Sequence, residues 1–136
     1  MGYYIDIRPK GQERITRDAY LQRFLNAGLE RHFSFFIEPT AELRTSYRHE
    51  VFFTGGVITV CEDAEAPAGV VASVRVSWGN NAESIKALGF ALLEIAERTD
   101  SVVVHPQTQE PLTMDTLETL ADHFLIGRKI VRGHLG

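Results

Sequence analysis

The chain has 136 residues, 44% of them hydrophobic and 24% charged. This composition is typical of a globular protein whose core needs neither metals nor disulfides, so we predict a single domain over residues 1–136. The net charge is −4: residues 1–68 carry 8 basic and 10 acidic side chains, and residues 69–136 carry 6 and 8. No basic face is indicated, which argues against nucleic acid as a partner.

The single cysteine and the N-terminal residues favour a cytoplasmic protein. Cys61 cannot form an internal disulfide, which fits a reducing compartment. Residues 1–10 lack the order of a signal peptide, because Asp6 interrupts the apolar run. No uncharged apolar run is long enough to span a bilayer, so we expect no membrane partner.

In chain order, residues 3–8 alternate between apolar and polar side chains and predict a half-buried strand. Thr16 can cap a helix that runs to about Gly28. Residues 32–38 predict a second strand, which Pro39 stops.

The run RHEVFFTGGVITVCED predicts a hairpin with a two-residue turn at Gly55 and Gly56. This register places Phe52 opposite Thr59. The alternation continues over residues 70–78, which predict a further strand.

Asn80 and Glu83 have the spacing of a capping box, which predicts the start of a helix that ends near Thr99. Residues 101–104 predict a short strand, and a last helix runs from Asp115 to Gly127. The order of elements predicts an α+β fold: a mixed, mainly antiparallel sheet with helices packed on one face. A ferredoxin-like core with added strands is the most economical topology.

The stretch DSVVVHPQTQEPLT, residues 100–113, raises the question of a catalytic histidine. Pro106 restricts His105 to extended geometry and removes a ladder donor, so the strand must end there with or without an active site. The sequence leaves both interpretations of His105 open.

Other chemical signatures are weak. No histidine pair has the spacing of helical zinc ligands, and no glycine-rich phosphate loop precedes a helix. The predicted hairpin sets Glu50 opposite Cys61, and a carboxylate neighbour would raise the thiol pKa and oppose reactivity. We therefore predict no catalytic residue, cofactor or metal ligand.

The sheet face turned away from the helices is the remaining candidate. It combines aromatic and charged side chains, a mixture that protein interfaces favour: Tyr4, Asp6, Arg8, Phe36, Glu38, Phe52, Thr59, Ser73, Arg75 and Ser77. The alternative is that residues 39–47 or the C-terminal tail cover the two phenylalanines.

The segment LLEIAERTDSVVVHPQTQEPLT resembles small bacterial immunity proteins of polymorphic toxin systems. In several of these, a helix leads into a short strand closed by a turn of the form Asp-Pro-Gln-Thr-Gly. Here the turn reads HPQTQ, residues 105–109, and differs at the first and last positions.

The resemblance implies a non-enzymatic protein that binds one cognate toxin and blocks its active site, with no cofactor. Acidic side chains could speed association with a basic toxin. The partner-binding candidates are Tyr4, Phe36, Phe52, Glu62, Asp63, Glu65, Arg75, His105, Gln107 and Glu110. Two alternatives stay open: a small enzyme or ligand-binding domain that uses His105 or His49, and an adaptor subunit of a larger assembly.

Overall fold

The computed structural model describes residues 2–27, 49–53 and 56–135. The predicted strand at 32–38, with Phe36, lies outside these residues. The described elements are β1 (Tyr3–Pro9), α1 (Arg17–Leu25), β2 (His49–Phe53), β3 (Gly56–Glu62), β4 (Val70–Val76), α2 (Ala82–Arg98), β5 (Ser101–Val104) and α3 (Leu117–Leu135), with a short 3-10 turn (Met114–Thr116) leading into α3.

The five described strands form one sheet in the order β2-β3-β4-β1-β5, and each described neighbouring pair is antiparallel. The order β3-β4-β1-β5, with α1 after β1 and α2 between β4 and β5, is that of a ferredoxin-like core. β2 is added outside β3. The α+β prediction is confirmed.

The predicted register of the hairpin is wrong. Phe52 lies opposite Val57, and Glu50 lies opposite Thr59, so each residue of β2 pairs two positions away from its predicted partner on β3. Glu50 is therefore not the cross-strand neighbour of Cys61. Because the shift is of two positions, it does not change which residues of β3 alternate with the core.

One face of the sheet is buried by all three helices. Alternate strand residues and the inward stripes of the helices form one apolar cluster, which includes Ile5, Ile7, Ile58, Val74, Tyr20, Phe24, Ile85, Leu92, Ile95, Leu120 and Phe124. Each large apolar side chain buried in this way contributes about 1.5–3 kcal/mol. The prediction that the helices share one face is confirmed within the described part of the chain.

Capping fixes the starts of the first two helices. The Thr16 side chain accepts a hydrogen bond from the Ala19 backbone N–H at 3.1 Å, as predicted. α2 begins one residue later than predicted, because Asn81 and Ser84 form the reciprocal capping box. α1 ends at Leu25, three residues before the predicted Gly28.

α3 continues past Gly127, where the sequence predicts its end. A Cβ at Gly127 would lie 2.8 Å from the Trp78 ring, so this glycine allows close approach of the indole and does not terminate the helix. Gly89 serves α2 similarly, because a Cβ there would lie 2.6 Å from Leu117 of α3.

A buried polar network joins α1, α2 and β5. The Tyr20 hydroxyl lies 2.7 Å from Ser101 Oγ, and Thr99 Oγ1, which has one proton to donate, lies 2.9 Å from Ser101 Oγ and 2.8 Å from the Ile95 carbonyl oxygen. Ser101 Oγ also donates to the Thr99 carbonyl at 3.1 Å. All three hydroxyls thus have partners in a buried site.

The outer side of β5 is paired with the chain that follows it. The Leu112 N–H donates to the Val103 carbonyl at 2.7 Å, and Pro111 forms an isolated antiparallel bridge with Val104. The segment that runs back along β5 is also held by a 2.8 Å hydrogen bond from the His105 N–H to the Glu110 carbonyl.

Candidate partner-binding face

We call the sheet surface turned away from the helices the reverse face. Its described side chains alternate with the core residues along four strands: Tyr4, Asp6, Arg8, Val57, Thr59, Cys61, Val71, Ser73, Arg75, Val102 and Val104. Ten of these eleven are not buried, and Tyr4 is 51% exposed, whereas Val104, which lies opposite Asp6, is only 7% exposed. Their counterparts on the other face are almost all buried.

Strand register brings the aromatic and cationic groups of this face together. Arg75 lies directly opposite Tyr4 on β1 and directly opposite Val57 on β3. Directly opposite residues have Cβ atoms about 4.5–5.5 Å apart, so the three form one continuous row. The sequence predicts that Tyr4 and Arg75 share this face, and the register makes them direct cross-strand neighbours.

A second row runs parallel to the first and is polar. Ser73 lies between Asp6 on β1 and Thr59 on β3. Asp6 and Arg8 form an ion pair at 3.6 Å, and both side chains are about half exposed. Exposed pairs of this kind contribute little to stability, so these charges remain available to a partner.

β2 extends both rows by register. Phe52 lies opposite Val57 at the end of the first row, and Glu50 lies opposite Thr59 at the end of the second. The side chains of these two residues, like all of Phe36, lie outside what the structure describes.

The acidic residues at the end of β3 do not form one uniform patch. Glu62 lines an open cleft of about 390 Å³ together with Arg14 and Arg17. Asp63 Oδ1 accepts a hydrogen bond from the Glu65 backbone N–H at 3.0 Å, which shapes the loop into β4. Positive and negative groups thus alternate at this end of the sheet.

The structure corrects the position of one partner-binding candidate. His105 is 1% exposed, so its side chain cannot contact a partner, whereas Gln107 and Glu110 lie on the exposed turn that follows. His105 Nδ1 accepts a hydrogen bond from the Gln107 backbone N–H at 3.1 Å. The buried ring therefore stabilises the turn that follows it.

His105 belongs to a cluster that no sequence pattern indicates. Its ring centroid lies 6.3 Å from that of His123 on α3, and His123 Nδ1 lies 2.7 Å from the Tyr3 hydroxyl. Burial, and secondarily the nearby His123, lower the pKa of His105, and burial raises that of Tyr3. Tyr3 and His123 are 120 positions apart, so no local pattern links them.

Among residues 2–27, 49–53 and 56–135, no group of three or more histidine, cysteine or acidic residues is arranged to hold a metal ion. No helix in the same ranges has the length and apolar character needed to cross a membrane. The chain matches no protein-family model, no curated protein and no solved structure.

Proposed function

We propose that this chain is a non-enzymatic, immunity-type protein that binds a cognate bacterial toxin through the reverse face and blocks the toxin's active site. The row in which Arg75 lies between Tyr4 and Val57 carries this proposal. Tyrosine and arginine are enriched among the residues that dominate binding energy at protein interfaces. Here Tyr4 and Arg75 are cross-strand neighbours, and Tyr4 is 51% exposed.

The burial of His105 supports binding over chemistry at this residue. A general base must come within hydrogen-bond distance of the proton that it removes. His105 is 1% exposed, and its Nδ1 accepts from the Gln107 N–H. The enzyme alternative that uses His105 therefore lacks an accessible base, and the side chain of His49 lies outside the described part of the chain.

The turn geometry is compatible with the resemblance to immunity proteins. Gln109 has a φ of 60°, in the left-handed region that favours glycine. It occupies the position at which the Asp-Pro-Gln-Thr-Gly turn has glycine. Gln109 is the last position at which this turn differs from the Asp-Pro-Gln-Thr-Gly pattern, and the chain keeps there the backbone conformation that glycine favours.

We assign the binding energy to the reverse face and not to the acidic residues at the end of β3. Glu62 shares its cleft with Arg14 and Arg17, which offset its charge. Peripheral charges of this kind chiefly change association rates.

The test is co-expression with a toxin domain encoded beside this gene. We expect the chain to rescue growth and to co-purify with the toxin. Arg75→Glu and Tyr4→Ala should each weaken the complex by about 2 kcal/mol or more, roughly 30-fold in Kd. Arg132→Glu, the same charge reversal at an exposed position on α3, is the matched control and should bind as the unmodified chain does.

Failure of both rescue and co-purification would end the immunity proposal. Co-purification with a partner that is not a toxin, weakened by Arg75→Glu and not by Arg132→Glu, would instead favour the adaptor alternative. Circular dichroism and thermal melts of each variant show whether lost binding reflects lost folding.

A further inference from the structure

His105 is held in one protonation state by its surroundings. Its Nδ1 accepts the Gln107 N–H at 3.1 Å, so the proton of the neutral ring must lie on Nε2. Nε2 is buried and has no hydrogen-bond partner among the described residues. Neither ring nitrogen is therefore placed to stabilise a second proton.

A proton added to this ring would go to Nδ1, the only free acceptor of a neutral imidazole protonated on Nε2. The new N–H would then face the Gln107 N–H at hydrogen-bond distance, replacing an attraction with a repulsion. The imidazolium would also be buried, with the His123 ring at 6.3 Å. Exposure to water relieves both penalties.

The turn that depends on this ring can open without the rest of the fold. His105 also accepts the Gln109 N–H through its carbonyl and donates its own N–H to the Glu110 carbonyl, at 2.9 and 2.8 Å. The side chains of residues 107–110 are exposed, and β5 lies at the edge of the sheet. Segments with few buried contacts open at a lower free energy than the core does.

We propose that residues 105–110 form an acid-sensitive switch, in which protonation of His105 expels its ring from the core and opens the turn while the sheet and the helices stay folded. This inference does not depend on the proposed toxin partner. The switch is a property of the isolated chain.

The neighbouring titratable groups define the sense of the pH dependence. His123 faces the ring from α3, and Tyr3 of β1 is hydrogen-bonded to His123, while the Glu110 side chain in the turn itself is exposed. The pKa of folded His105 lies below the usual value of about 6.5. The closed turn is therefore fully favoured above pH 6.5 and is lost as the pH falls through the folded pKa.

The test is hydrogen exchange followed by NMR from pH 7.5 to 4.5, with the His105 ring Cε1–H shift recorded in parallel. Protection factors remove the intrinsic pH dependence of exchange. We expect protection at Gln107 and Gln109 to fall about tenfold per pH unit between 6.5 and the folded pKa, and then to level off. Protection at Leu92 in α2 should not change.

Two variants separate the switch from general acid sensitivity. In His105→Asn the side-chain oxygen can accept the Gln107 N–H but cannot be protonated, so the turn should stay protected to pH 4.5. His123→Asn retains an acceptor for Tyr3 and removes the second imidazole, so His105 should titrate at a higher pH.

Three results would overturn the proposal. One is a His105 ring that titrates at pH 6.5 or above while the turn amides stay protected. Another is loss of protection at Leu92 in parallel with the turn, which would mean global unfolding. The third is acid opening of the turn in His105→Asn at the same pH as in the unmodified chain. If that variant fails to fold at pH 7, the titration of the unmodified chain and of His123→Asn decides the question.

Discussion

Replacing Ser101 with alanine removes the hydroxyl at the centre of the buried network that joins α1, α2 and β5. The Tyr20 hydroxyl, 2.7 Å from Ser101 Oγ, then has no remaining hydrogen-bond partner among the described residues, in a buried site. An unsatisfied buried hydroxyl costs about 1–3 kcal/mol, and the lost bond to the Thr99 carbonyl adds about 1 kcal/mol. Thr99 keeps its 2.8 Å hydrogen bond to the Ile95 carbonyl. We therefore expect Ser101→Ala to cost about 2–4 kcal/mol.

Tyr20→Phe provides the matched control. It removes one hydrogen bond but leaves Ser101 and Thr99 bonded to each other, so the expected cost is about 0.5–1.5 kcal/mol. In the double variant no phenol is left without a partner. Its cost should fall below the sum of the two single costs by about 1 kcal/mol.

The assay is urea unfolding of all four proteins, with the free energies compared at a common m value. The total free energy of unfolding of such a domain is about 5–15 kcal/mol, so the single cost is readily measured. A cost below 0.5 kcal/mol for Ser101→Ala, or strictly additive single costs, would show that the network does not couple α1 to β5 as described.

Three further predictions concern the helices and the buried phenols. Gly89→Ala should destabilise the fold by up to ~2 kcal/mol, because its Cβ would lie 2.6 Å from a leucine of α3. Gly133→Ala should instead stabilise the fold by up to ~1 kcal/mol, because a Cβ there meets nothing within 4 Å. Thermal melts that ranked the two variants in the opposite order would contradict this packing. Burial raises the pKa of Tyr3 and Tyr20, so the free energy of unfolding should be constant below pH 10 and fall above it by up to ~1.4 kcal/mol per pH unit per phenol. Urea midpoints at pH 9–11 measure this fall. If the midpoint of Tyr3→Phe fell with pH as steeply as that of the unmodified chain, the prediction would be wrong. Asn81→Ala should cost ~1 kcal/mol through the lost cap of α2, and an unchanged urea midpoint would show that the capping box contributes nothing.

Side-chain alternation is the most reliable guide to the fold. The faces of β1, β3 and β4 follow directly from the period of two in their sequences, so the division between core and reverse face is predictable from the amino-acid sequence. A strand need only place apolar groups on one side for this pattern to be visible. This alternation alone predicts that Tyr4 and Arg75 share one surface.

Register and glycine function are less predictable, because both depend on packing between elements. A Gly-Gly pair is the expected turn signal, yet β3 begins at Gly56, which pairs with Phe53. Gly127 has the residue type of a helix end, but its missing side chain accommodates Trp78, 49 positions away in the sequence.

The candidate site likewise has one part that the sequence predicts and one part that depends on packing between elements. The exposed row on the sheet follows from local alternation, whereas the burial of His105 and its proximity to His123 depend on how α3 packs. Nothing near residue 105 in the sequence indicates which helix will cover it. A histidine before a proline is equally consistent with a surface turn and with a buried ring.

The return of the chain along the outer side of β5 also determines how the molecules can meet one another. An unpaired strand edge offers a row of N–H and C=O groups on which a second chain can form a ladder, the usual origin of fibrillar aggregation. On β5 the Val103 carbonyl is already occupied by Leu112, and Pro111 has no N–H to offer. Over residues 103–105, the chain itself therefore hinders growth of an intermolecular sheet from this edge.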